Sequence, residues 1–432
     1  MESIWGGFRV KIIKHDYSTI AMDFGVTEED RLIRENAREF VQKYVIPKRD
    51  KISYSNKIPD DIIQKAADAG FIGFTVSEKY GGAGGSISQM AAIVEELARG
   101  DVSMALPVYV LLLNGWPSML EKYGSEEAKQ EILPSITKGR TYLGIGSTEP
   151  SGGSDVMNEK SKAVRKGKGW SVSGEKVYIS GVREALYLPG GGGFLTLLRT
   201  GDKSLASKAF TSFAFMIKGT DGKVRDEIST TVFNNIAREG LSTGGFSFND
   251  LDLDDKFRVG EIGQGFHIIM EGFNIARVYV AAACNGAALE TIDMGREHLR
   301  SRMLFDQPLG KQEGLQFELA ELYGKLESSR LLTQKAAWIL DRVYKNKEKV
   351  PLSEQNLAVS LAKMTGPPTA HEIITKVMVW HGAVAYTKDL PLGAAQGGVM
   401  SYYVGAEGGI NIMKLIIARE LLGKEFLSYK SG

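Results

Sequence analysis

The chain has 432 residues, enough for two or three domains around a large buried core. Its 43% hydrophobic and 24% charged content is that of a soluble globular protein, and 53 Lys+Arg against 52 Asp+Glu leave a net charge of +1, which argues against a nucleic-acid polyanion as main partner. A single cysteine, Cys284, excludes an intrachain disulfide and fits a reducing, cytoplasmic setting; the five histidines show no metal-ligand spacing, and no apolar run of about 18 residues offers a membrane span.

Residues 1–22 carry Arg9, Lys11, Lys14 and His15 without the apolar centre of a signal peptide, and read as a disordered extension or an upstream start. Residues 23–140 read as a helical domain. Thr27 with Glu28, Glu29 and Asp30 predicts a capped helix start, followed by Leu32, Ile33, Ala37 and Phe40 at helical spacing. Pro59 to Ala69 predicts a helix with proline at its first position and a stop at Gly70. Met90 to Ala98 and Ala105 to Tyr123 continue the period, while Glu78 to Gly85 reads as a glycine-rich connector.

The period changes over residues 141–258, which read as a β domain. Trp170 to Ile179 alternates as a strand and turn, and Phe194 to Leu198, Ser212 to Met216 and Gly245 to Phe248 predict further strands. Gly190 to Gly193 reads as a flexible loop without the Lys and Ser/Thr of a phosphate-binding loop. Residues 259–432 return to helical spacing from Gln264. Gly260 to Gly265 lacks the glycine spacing and βαβ context of a dinucleotide fingerprint, and reads as a loop before a helix.

Two segments carry chemistry. Glu407 stands between Gly405-Ala406 and Gly408-Gly409 at the mouth of an apolar helix. Small neighbours allow a ligand to approach, and apolar surroundings would raise its pKa toward that of a general base. The alternative is a first-turn carboxylate complementing the helix dipole. Upstream, Ser147-Thr148-Glu149-Pro150-Ser151-Gly152-Gly153-Ser154-Asp155 supplies hydroxyls and small residues that suit close contact with a planar ring or phosphate; on its residues alone it is a polar turn.

That run resembles the Thr-Glu-Pro-x-x-Gly-Ser-Asp signature of the acyl-CoA dehydrogenase family, and the likeness extends from about residue 23 to 428. Gly70-Phe71-Ile72-Gly73 with Tyr80-Gly81-Gly82 is similar to the family's N-terminal signature, and Tyr123-Gly124-Ser125-Glu126-Glu127 with Leu133-Pro134 to its next helix pair. Arg302 and Phe305, with Pro308 and Gln316, resemble its Arg-x-x-Phe segment, and Glu407 falls on its catalytic glutamate.

The resemblance implies an α+β, mainly α fold: an N-terminal helical domain, a middle β-barrel or sandwich domain and a C-terminal four-helix bundle enclosing FAD. It implies a homotetramer, a dimer of dimers, that converts an acyl-CoA to the trans-2-enoyl-CoA and passes electrons to electron-transferring flavoprotein. Glu407 would take the α-proton, and its backbone N–H would help bind the thioester carbonyl. Ser147, Thr148, Tyr178 and Ser180 would lie against the flavin, Arg302 and Phe305 would reach the FAD of a neighbouring subunit, and Gly382, Gly409 and Asn411 would line the cofactor's surroundings. Ser154, Asn274, Arg277 and Gly408 would face the acyl-CoA.

Several positions depart from the family pattern. Tyr178 stands where a tryptophan is common, and Glu313 where a glutamine is. Gly393 to Gly398 replaces an Arg-Asp stretch, and Ala406 replaces a bulky tyrosine, which suggests a wider acyl pocket for branched or cyclic groups. Some members carry the base on the substrate-side helix just before the arginine. That position is Ala276, which leaves Glu407 as the candidate. Retention of Glu407 also favours a dehydrogenase over an oxidase or monooxygenase on the same fold, and the charge balance disfavours a nucleic-acid-associated member.

Overall fold

The computed structural model describes residues 27–426, so the extension read at residues 1–22 lies outside the described residues. Six helices come first: α1 (Glu28–Phe40), α2 (Arg49–Tyr54), α3 (Asp60–Asp68), α4 (Ile87–Gly100), α5 (Ala105–Tyr123) and α6 (Glu126–Thr137). The cap at Thr27 is a full capping box: its hydroxyl accepts from the Asp30 amide, and the Asp30 carboxylate accepts from the Thr27 amide. Pro59 sits one position earlier than expected, as the N-cap of α3 at ψ 133°. The helix still stops before Gly70, which turns at φ +74°.

The β region holds β1 (Tyr142–Gly146), β2 (Lys162–Lys166), β3 (Gly169–Ser180), a short α7 (Val182–Tyr187), β4 (Gly192–Arg199), β5 (Phe210–Lys218), β6 (Ile228–Val232), β7 (Thr243–Leu253) and β8 (Arg258–Val259). They form one mixed sheet in the order β6-β7-β3-β2-β4-β5-β8, with β1 added parallel to β4. Phe194, Phe215, Phe246 and Phe248 stack across it with ring centroids 4.6–5.9 Å apart. The expected loop at Gly190 to Gly193 is corrected here: Gly192 and Gly193 open β4 and are buried. A Cβ on Gly193 would stand 2.1 Å from the Phe215 carbonyl oxygen, so these glycines serve close packing against β5 rather than freedom.

The remaining chain is helical. α8 (Gly265–Ser301) ends in a hairpin of β9 (Met303–Leu304) and β10 (Gln307–Pro308), followed by α9 (Glu313–Tyr344), α10 (Leu352–His381), α11 (Leu392–Val404) and α12 (Ile410–Leu422). α8, α9 and α10 pack on one another, α11 and α12 pack on α10, and α4 and α5 pack on α8. The fold is therefore mainly helical, with a sheet between two helical sections. No helix among the described residues is long and apolar enough to cross a membrane.

The Gly393 to Gly398 stretch has a packing cause. It forms the first half of α11, and a Cβ on Gly398 would meet the Ser103 carbonyl oxygen at 2.3 Å. A Cβ on Gly397 would meet the Ala237 Cβ at 2.4 Å. Small residues thus let α11 approach both the N-terminal helices and the segment before β7.

Candidate active site

Glu407 lies in the turn between α11 and α12. It adopts φ +58°, unusual for a residue with a Cβ, and Gly408 follows at φ +94°. The turn is tied by the Gly408 amide, which donates to the Gly405 carbonyl at 3.1 Å. The Glu407 amide donates to no backbone acceptor among the described residues. Its Oε2 is buried and has no hydrogen-bond partner among the described residues. Burial raises the carboxyl above its ordinary pKa, although Lys363, Arg277 and Arg238 pull it back. Desolvation prevails, so the group is more basic than a surface carboxylate.

α8 supplies the next contact. Arg277 is buried and donates from Nε to the Glu407 carbonyl oxygen at 2.9 Å and from Nη1 to Asn274 Oδ1 at 3.0 Å. Spacing of three residues places Asn274 and Arg277 on one helix face. Asn274 then donates to Asn356 on α10 at 3.2 Å, and Asn356 to Glu420 on α12 at 3.2 Å. Glu407, Gly408, Arg277 and Asn274 are therefore brought together; Arg277 Nη2 is 3.4 Å from where a Gly408 Cβ would stand.

A buried arginine joins this cluster to the sheet. Arg238, between β6 and β7, adopts φ +60°. It donates to Ser180 Oγ at 3.0 Å, Thr243 Oγ1 at 2.8 Å and the Tyr402 hydroxyl at 3.2 Å. Ser180 is thereby linked through one side chain to Tyr402, which lies on α11 ahead of Glu407. Tyr178, two residues before Ser180, is 71% exposed at φ +59°, its ring 5.6 Å from that of Phe233.

The hydroxyl-rich turn is braced from behind. Ser147 is buried, and its hydroxyl donates to Glu159 Oε1 at 3.0 Å rather than facing outward. Lys176, fully buried, donates to the Ser147 carbonyl at 3.0 Å, Glu149 Oε1 at 3.0 Å and Glu159 Oε2 at 2.9 Å. Two carboxylates share one ammonium. Burial pushes the Glu159 carboxyl up to about 7 despite Lys176. Half-buried Thr148 accepts the Val177 amide on its carbonyl at 2.9 Å, which docks the turn on β3.

No hydrogen bond joins the other expected site residues to Glu407 among the described residues. Ser154 is exposed in the loop after the turn, Gly382 is exposed at φ +69° after α10, and Arg302 is exposed after α8. Phe305, at the tip of the β9–β10 hairpin, is 86% exposed with φ +53°. Gly409 caps α12, and Asn411 is exposed in its first turn. Ala276 is buried on α8, and Glu313 is exposed at the start of α9.

Sequence reasoning missed Lys363, Arg238, Tyr402 and Glu159. One signal was available for Lys363: it falls among Val359, Ala362, Gly366 and Ala370, on the inward phase of α10. Arg238 lies in an irregular segment whose pattern announces nothing.

Comparison with known proteins agrees with this architecture. The family model for the acyl-CoA dehydrogenase N-terminal domain matches residues 27–140, and that for the C-terminal domain residues 263–422. Isobutyryl-CoA dehydrogenase of Bos taurus is 30% identical over 94% of this chain and 92% of its own length. Glutaryl-CoA dehydrogenase of Desulfococcus multivorans is 28% identical over 93% of this chain and 98% of its own. A solved glutaryl-coenzyme A dehydrogenase with glutaryl-CoA superposes with a TM-score of 0.83 at 26% identity, covering 93% of this chain and 97% of that one. Fold and relatives together define an oxidoreductase acting on the CH–CH bond of acyl-CoA thioesters. The chain belongs to the acyl-CoA dehydrogenase family.

Proposed function

We propose that this enzyme removes the α-proton of a branched or cyclic acyl-CoA with Glu407 and yields the trans-2-enoyl-CoA. The observation that carries the reading is Glu407 Oε2, a buried carboxylate oxygen without a hydrogen-bond partner among the described residues. Leaving a polar atom so placed is costly unless a ligand completes it. Burial makes the group a stronger base, and Arg277 fixes its backbone from α8. The uncommitted Glu407 N–H is a donor for the thioester carbonyl, where negative charge develops as the α-proton leaves.

The residues present fit FAD. Exposed Tyr178 offers an aromatic face beside Ser180, and Arg238 ties that point to the α11 segment preceding Glu407. Thr148 would lie against the ring, and Ser147 would approach it through its backbone, since the Ser147 hydroxyl is committed to Glu159. Asn411 and Gly409 would flank it at the start of α12. Exposed Arg302 and Phe305 would reach the cofactor of a neighbouring subunit in a homotetramer. When bound, FAD supplies the acceptor for the hydride that leaves the β-carbon. Ser154 and Asn274 would face the acyl-CoA. Electrons would pass on to electron-transferring flavoprotein in a cytoplasmic setting, and the domains would divide at residues 23–140, 141–258 and 259–432.

The small side chain of Ala406, beside Glu407, is the basis for the wider acyl pocket, and a relative is named for isobutyryl-CoA, a branched acyl group. Anaerobic bleaching of bound flavin across a panel of straight, branched and cyclic acyl-CoAs tests cofactor, reaction and pocket together. Clear preference for straight chains over every branched or cyclic one overturns the pocket assignment.

A further inference from the structure

Lys363 on α10 has 0% exposure and no carboxylate in ion-pair range among the described residues. Burying an ammonium without a counter-carboxylate is costly, so its hydrogen bonds define what it serves. Nζ donates to the Tyr402 carbonyl at 2.7 Å and to the Gly408 carbonyl at 3.4 Å. These acceptors bracket Glu407: one lies in the last turn of α11, the other directly follows the carboxylate. Between them the chain passes through the left-handed conformations of Glu407 and Gly408, which need support from outside the turn. Arg277 supplies one support from α8; Lys363 supplies the other from α10, the helix on which both α11 and α12 pack.

The charged and titratable groups facing Lys363 and Glu407 among the described residues are Cys284 and Arg277 from α8, Tyr402 from α11, and Arg238 from the segment before β7. Burial pushes the Cys284 thiol up to about 12, so it stays neutral near pH 7. It pulls the Lys363 ammonium down to about 8, which leaves it mostly charged there.

We propose that Lys363 is the positioning residue of the Glu407 base: it clamps the turn on both sides of the carboxylate and holds a positive charge toward it. This rests on the assignment of Glu407 as base. The role differs from simple core filling in one readable way. A cation facing the carboxylate favours its ionised form, so removing that cation shifts ionisation of the base to higher pH.

The test uses FAD-loaded wild type, Lys363→Met, Lys363→Gln, Lys363→Arg and Glu407→Gln. The rate of anaerobic flavin reduction is followed against pH with the acyl-CoA that reduces wild type fastest. Lys363→Met is expected to keep its flavin, lose about tenfold or more in rate with the lost charged hydrogen bonds, and move the ascending limb up by about one pH unit. Lys363→Arg keeps the charge, and its limb is expected to stay in place. If Lys363→Met does not fold, Lys363→Gln is read the same way; failure of both neutral variants to fold assigns Lys363 a structural role and overturns the proposal. An unmoved limb in either neutral variant overturns it as well. Wild-type flavin reduction by Glu407→Gln would instead overturn the base assignment itself.

Discussion

Arg277 holds Glu407 by its backbone, Nε to carbonyl oxygen at 2.9 Å, and leaves the carboxylate free of any ion-pair contact among the described residues. A salt bridge to the carboxylate would lower its basicity; a bond to the carbonyl fixes position at smaller cost to basicity. The same guanidinium bonds Asn274, and burial brings it down to about 10, so it stays charged through the neutral range.

Arg277→Met removes both bonds while preserving much of the apolar volume. It is expected to lower kcat/KM about ten- to a hundredfold, the range of one or two charged hydrogen bonds. Arg277→Lys keeps the charge but cannot reach Glu407 and Asn274 from one planar group, and should recover only part of the loss. Steady-state kinetics of both variants, with flavin content as control, check this.

The Lys176 cluster sets a stability prediction with a defined sign. The Glu159 carboxyl is raised from 4.5 to about 7 in the folded protein. A folded pKa above the unfolded value means the native state binds the proton more tightly, so the stability this one group contributes is fully present below pH 4.5 and is lost as pH rises toward 7. Glu159→Gln removes that loss. Its melting temperature relative to wild type is expected to rise between about pH 5 and pH 8; a constant or falling difference would contradict the arrangement.

The glycines of α11 make a packing prediction. Gly398→Ala places a methyl 2.3 Å from the Ser103 carbonyl oxygen, a backbone atom that cannot swing aside. The cost is expected at about 1–3 kcal/mol, read as a fall of several degrees in melting temperature. Gly393→Ala meets nothing within 4 Å and serves as the control.

Much of this fold is legible in the chain, because long periodic segments announce themselves. Helical spacing from Ala105 to Tyr123 coincides with α5 residue for residue, and the strand at Trp170 to Ile179 is within one residue of β3. Gly192 and Gly193 misled because glycine ordinarily marks loops, whereas here it admits the neighbouring strand's backbone. The Ser147 hydroxyl turns inward because a buried glutamate on a distant segment accepts it. Lys363 and Arg238 were illegible for a related reason. A lysine or arginine reads as a solvated residue until tertiary structure shows which carbonyls and hydroxyls receive its protons.

Ala406 predicts substrate preference. Ala406→Tyr fills the proposed pocket and is expected to lower kcat/KM for branched acyl-CoAs at least about tenfold more than for straight ones, the scale on which a few methylenes are discriminated. Equal losses for both classes would place the acyl chain elsewhere.

The most direct measurement is the rate at which bound flavin bleaches anaerobically with acyl-CoA in wild type and Glu407→Gln. The variant should bind FAD and acyl-CoA yet bleach about 10²–10⁴-fold more slowly, as expected when a general base is removed. Bleaching at the wild-type rate would contradict the assignment of Glu407 as the group that takes the α-proton.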